Sequence, residues 1–319
     1  MNEFFFNEKQ NRWYFTFVFI FFCALGLERM CIINGSSVDN VQVQGTKIIV
    51  GTNGTTQFTI YQNAVSFLTN VSATSPDSPT PAMILPVPCS AKEMILVPTE
   101  LNDDETFVKR GISACEIPFV EYVTAIPYTV GNETRGVVNL EVKKCGNYQY
   151  SIAQGVDELA KMDPKVFLAN PEVLGALAKY YAKREFCFLI LRLIPGAVYK
   201  PILYLAPLPK NQKLFIPTLH IHPNGKDSFL HEVEDHWDHT IYSLNATITP
   251  LPNNNQQQLD SRNAEKKILF FLSIWLSLFP GFEKLCLSNL HRWMLKGSAV
   301  NQDMEAVLLA PSSDAPTKT

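Results

Sequence analysis

Phe186-Cys-Phe-Leu-Ile-Leu-Arg-Leu-Ile194 is apolar at every position except Arg192. A run this short, continuous and rich in aromatic and aliphatic residues reads as a strand buried on both faces. Helical periodicity lies just upstream. Val156, Leu159 and Ala160 fit one short helix, and Pro171 is placed to open another through Leu174, Leu177 and Tyr181, because proline at the first helical position loses no bonded N–H. Strands return at 199–205 and 214–222.

The N-terminal half reads as strands and turns. Lys47-Ile-Ile-Val-Gly51 and Gln57-Phe-Thr-Ile-Tyr61 flank Thr52-Asn-Gly-Thr55, whose Asn-Gly pair favours the positive φ of a hairpin turn. A Ser/Pro/Thr-rich loop at 72–81 leads to Met83-Ile-Leu-Pro-Val-Pro88 and Met94-Ile-Leu-Val-Pro98. Their prolines place both at sheet edges or strand ends. Further strands fit 120–130 and 136–142. The order strands, helices, strands implies an α+β architecture: a β-rich N-terminal half, short helices in the middle, further strands and a hydrophobic C-terminal helix.

The division expected is a signal peptide or anchor at 1–29, a β-rich region at 30–150, an α+β region at 151–249, a polar linker at 250–263, a hydrophobic helical region at 264–310 and a disordered tail at 311–319. The chain has 319 residues, 46% hydrophobic and 18% charged, with a net charge of -3. That balance suits a globular core and offers no basic surface for phosphate neutralisation, so nucleic acid is not an expected partner.

Residues 13–27 carry no charge and follow Lys9 and Arg12. A helix of about 15 residues rises about 22 Å, less than the roughly 30 Å hydrocarbon core. The run reads as a signal-peptide core, with Ala24 and Gly26 at the small-residue cleavage positions, or as an uncleaved anchor. The competing reading is a buried helix, or a start at Met30. The expected location is a membrane or the secretory route. The run at 268–282, broken by Pro280-Gly281, reads as a buried or membrane-surface helix.

Seven cysteines, at 23, 31, 89, 115, 145, 187 and 286, contain no Cys-x-x-Cys pair. A zinc ribbon or thioredoxin-like site is therefore unsupported, and disulfides and buried free thiols both stay open. Sequons begin at Asn34, Asn53, Asn70, Asn132 and Asn245, as a glycoprotein would have.

Five of the six histidines fall between 220 and 239. On a strand, His220 and His222 share one face, opposite Phe215, Leu219 and Ile221. After the Asn224-Gly225 turn, a helix capped by Asp227 or Ser228 would bring Glu232, His236 and His239 onto one face, with His231 rotated away. Two to four imidazoles and a carboxylate suit Zn²⁺, Fe²⁺ or Mn²⁺. The His-Glu-x-x-His spacing of zinc proteases is absent, since His231-Glu232 is followed by His236. Gly111-Ile-Ser-Ala-Cys115 lacks the closing glycine of a nucleophile elbow, and no phosphate-cradling glycine loop occurs. Two functions are expected from this: a secreted or membrane-attached metal-dependent hydrolase or oxygenase using His220, His222, Glu232, His236 and His239, or a non-catalytic secreted or membrane-attached binding or structural glycoprotein.

Overall fold

In the computed structural model, which describes residues 32–34, 41–67, 78–97, 139–145, 148–194, 201–221, 234–244, 246–248, 257–258, 290–300 and 302–308, the apolar run forms a strand buried along its whole length. The elements are β1 (Ile32–Asn34), β2 (Val41–Thr52), β3 (Thr56–Phe67), β4 (Ala82–Val87), β5 (Ile95–Val97), β6 (Lys143–Cys145), β7 (Tyr148–Ala153), a 3-10 turn (Val156–Lys161), α1 (Pro171–Tyr181), β8 (Cys187–Arg192), β9 (Ile202–Pro207), β10 (Lys213–Ile216), β11 (Glu234–Leu244), β12 (Ala246–Ile248), β13 (Gln257–Gln258), β14 (Leu290–Val300) and β15 (Met304–Leu308).

These strands make a five-stranded sheet in the order β1-β4-β8-β7-β6, a seven-stranded sheet in the order β13-β14-β11-β2-β3-β9-β5, and a three-stranded sheet in the order β10-β15-β12. Among the described residues every ladder is antiparallel except that of β2 with β11. Alternation along β8 divides its side chains between two cores. Cys187, Leu189 and Leu191 meet Ile48, Val50, Tyr61, Tyr204, Leu214 and Met304 from the other two sheets. Phe188 and Ile190 face the helical layer, where Leu159, Phe167, Val173, Leu177 and Tyr181 cover them. An apolar run without alternation is what burial on both faces requires. Arg192, its polar exception, is also buried; its guanidinium donates to Thr80 Oγ1, Gln149 Oε1 and the Ser78 carbonyl, which replace lost hydration.

The hairpin forms where the turn residues place it. Gly54 takes φ +99°, while Asn53 Oδ1 accepts from the backbone N–H of Thr55 and of Thr56. The next requirement for glycine is close approach: Gly51 is paired with Phe58, and a Cβ there would lie 2.6 Å from that ring. Asn34, the first of the sequons, is fully buried, and its Oδ1 accepts from Asn170 N at 2.6 Å. A glycan on Asn34 is incompatible with this packing.

The architecture is mostly β, which overturns the α+β expectation. Within the expected C-terminal helical region, β14 and β15 are strands; 268–282 lies outside the described residues. The reason is visible in β15, where Met304 and Ala306 are buried and Val307 is exposed, a period of two against β10 and β12. The helix expected to carry His239 is also replaced by a strand, because β11 is held by β14 on one side and β2 on the other. Such two-sided pairing outweighs local helix preference. Gln257–Gln258, within the expected linker, pairs with β14, and ladders from β3 to β9 and from β2 to β11 cross the expected 150/151 boundary. β4 lies between β1 and β8 rather than at an edge; Pro86 is accommodated past the last β1 pair, Ile32 with Ile84. β5 does lie at an edge. Residues 139–142 are not strand, and the 120–130 strand and the Gly111–Cys115 motif lie outside the described residues. Among the described residues no helix is long and apolar enough to cross a membrane.

One side chain joins two of the sheets. Gln57, 2% exposed on β3, donates from Nε2 to the Phe215 carbonyl at 2.7 Å and accepts at Oε1 from Phe215 N at 2.8 Å. Its amide acts as a one-residue strand partner for β10. Replacing Gln57 with Leu leaves both backbone groups buried and unbonded, so urea denaturation should show a loss of about 2–4 kcal/mol. A loss below about 0.5 kcal/mol would mean that the contact contributes little.

Candidate functional site

The structure brings together two of the expected ligands. His220 and His239 are both 0% exposed, with Nε2 atoms 3.4 Å apart and rings 5.0 Å between centroids at 24°. The strand expected over 214–222 ends at Ile216, and His220 lies in the irregular segment after it. Leu219 and Ile221 enter the helix-side core. His239 reaches His220 from β11, opposite Leu295.

His236 also lies on β11, opposite Ser298. The segment that carries His236 and His239 is thus strand, not the expected helix. His222, His231 and Glu232 lie outside the described residues. Among the described residues no three His, Cys, Asp or Glu side chains gather as a metal site would require.

Sequence reasoning passed over a second cluster. Asn170 caps α1 by accepting at Oδ1 from the N–H groups of Glu172 and Val173, and Val173, Leu177 and Tyr181 form its buried stripe. The helix thereby delivers Tyr180 to a cleft of about 370 Å³ that Arg184, Phe186, Phe215 and Asp303 also line, with Tyr181 buried behind it. The rings are interlocked: Tyr181 lies 5.0 Å from Phe186 and 5.4 Å from Phe188, and Phe186 lies 5.1 Å from Phe215. Edge and tilted contacts at these distances suit the aromatic quadrupole.

Asp303 anchors the cleft floor. Its Oδ2 accepts from the Tyr181 hydroxyl at 2.5 Å, and its Oδ1 accepts from the backbone N–H groups of Thr218 and Leu219, each at 3.2 Å. Thr218 Oγ1 donates to the Gln302 carbonyl at 2.9 Å. This ties down the segment that carries His220, so the cleft and the histidine pair share one support. Arg184 is exposed, with its guanidinium carbon 4.7 Å from the Tyr180 ring centroid. At the mouth Lys213 pairs with Glu305 at 2.7 Å, and Asn211 donates to the same carboxylate.

Burial pushes the Asp303 carboxyl up to about 6, although the Tyr181, Leu219 and Thr218 donors and Arg184 pull the other way. Burial and the same carboxyl push the Tyr181 phenol well above its ordinary value, so Tyr181 remains the donor.

The sign of the pH effect follows from linkage. Folded Asp303 holds its proton more tightly than the unfolded carboxyl, so its contribution to stability is fully present below about 4 and is lost as pH rises through about 6. Asp303→Asn keeps an acceptor for the two backbone N–H groups and removes the titration. In urea titrations between pH 4 and 7, the stability of the variant relative to the unsubstituted protein should rise with pH. A pH-independent difference would show that Asp303 does not titrate in this window.

No family model matches the sequence, and no curated protein matches it. Among solved structures, a mutated baculovirus P35 after caspase cleavage is similar with 11% identity over 84% of this chain and 100% of that one, at a TM-score of 0.37. A likeness this weak carries neither fold nor function across to the present chain.

Proposed function

We propose that the chain is a non-catalytic binding protein, and that an extended peptide segment bearing an acidic side chain seats in the Tyr180–Asp303 cleft. The observation that carries this reading is the division of labour among the polar groups lining it. Asp303 already accepts from three donors, and Lys213 and Glu305 hold each other. The exposed Arg184 guanidinium, laid along the Tyr180 ring and hydrogen-bonded to that side chain, has further N–H groups to offer an incoming carboxylate, which guanidinium binds in a bidentate manner. Phe186 and Phe215, with Pro88 and Pro209 beside them, supply flat apolar surface for neighbouring residues of the ligand.

The alternative, a metal-dependent hydrolase or oxygenase at the histidines, needs a coordination position open to substrate. A pair at 0% exposure supports a packing role better. The secreted or membrane-attached half of the proposal rests on residues 13–27 and the remaining sequons, by sequence alone.

Panning a random twelve-residue peptide library against the immobilised full chain tests the reading. Enriched peptides should carry Asp or Glu beside apolar residues. They should bind Arg184→Ala at least about 10-fold more weakly, since a charge-assisted hydrogen bond contributes about 1.5–3 kcal/mol. Enriched peptides that bind the variant equally well, or a failure to enrich, would overturn the proposal.

A further inference from the structure

We infer that Cys89 and Cys187 are a redox pair that closes to a disulfide directly behind the cleft. Their Sγ atoms lie 3.9 Å apart although the residues are 98 positions apart in sequence. Cys187 is the first residue of β8 and is paired with Val87 at the end of β4; Cys89 follows two residues later, in the turn that leaves that strand. The β4–β8 ladder therefore holds the two backbones side by side. Side-chain rotation must close only the remaining distance to the roughly 2.05 Å bond length.

Among the described residues no other cysteine competes for the pair at short range. The other described sulfur nearby is Met94 Sδ, 4.0 Å from Cys187 Sγ, and a thioether forms no disulfide. The third described cysteine, Cys145, lies on β6 at the far edge of the sheet. Both thiols are enclosed, at 6% for Cys89 and 0% for Cys187. The hydrogen bond with the Cys89 thiol, and then burial, raise the Cys187 thiol, so Cys187 does not start the reaction in the folded protein. Cys89 is the entry point, since its turn continues into the exposed Lys92 and Glu93.

The reaction needs a disulfide oxidant, such as glutathione disulfide. Cys89 Sγ, having lost its proton, attacks one sulfur of the oxidant and releases one glutathione thiol, leaving a mixed disulfide. Cys187 Sγ then loses its proton, attacks Cys89 Sγ and releases the second glutathione. Two protein thiols are oxidised by two electrons, and one oxidant disulfide is reduced to two thiols. The bond would fix Pro88 to Phe186, chain neighbours of the two cysteines that both line the cleft. It would also close a long loop, which restricts the unfolded chain.

The test is to refold the full reduced chain in mixed reduced and oxidised glutathione, alkylate the remaining thiols with iodoacetamide and map the peptides by mass spectrometry. The expected result is a Cys89–Cys187 linked peptide as the dominant form of both residues. In a parallel refolding with a phosphine reductant, both should be alkylated. The oxidised protein should melt about 5–10 °C higher. Cys89→Ser and Cys187→Ala should each abolish that difference, and if either variant fails to fold, the peptide map of the unsubstituted chain decides alone. Alkylation of both residues after oxidative refolding, or dominant linkage of either to another cysteine, would overturn the inference.

Discussion

Burial of β8 on both faces is the constraint on which the rest of the molecule depends. Because Leu189 and Leu191 enter one core while Phe188 and Ile190 enter the other, Cys187–Arg192 joins the helical layer to the remaining sheets. A fully buried large aliphatic side chain contributes about 1.5–3 kcal/mol relative to exposure. A polar residue at any of these positions would disturb two layers together. Arg192 avoids this by standing at the strand's end, where Thr80, Gln149 and Ser78 supply acceptors.

The cleft is a consequence of that arrangement. α1 packs with the 3-10 turn and β1 and helps to cover Phe188 and Ile190, and its last turn then brings Tyr181 to Asp303 beside the three-stranded sheet. Gln57 holds β10 from beneath, and Asp303 holds the segment following β10 from the side. The surfaces proposed to meet a ligand are thus set by rigid elements and by groups whose hydrogen bonds are already made. Such preorganisation lowers the ordering cost of binding.

How much of this was legible depends on the range of the interactions. The β8 run, the Asn53-Gly54 turn and the opening of α1 at Pro171 are local signals, written within a few residues, and the structure contains all three. The strand at β11 was not legible, because its polar and aromatic residues also fit a helix and its identity comes from β2 and β14, both far away in sequence. The His220–His239 contact was half legible: the cluster was visible, but the segment that carries His239 is a strand and not the assumed helix. The cleft gave no local signal. Tyr181 and Asp303 are separated by 122 residues, and neither belongs to a motif.

The dependence on β8 is tested most directly by native-state hydrogen exchange of the full chain under conditions that favour local opening. Amides of 188–191 should exchange among the slowest in the protein, together with their β4 partners at 83–86 apart from Pro86, and well after the edge strand β5 and the two-residue strand β13. Exchange of 188–191 as fast as that of β5 would contradict the account, since a strand shared by both cores cannot open without opening both.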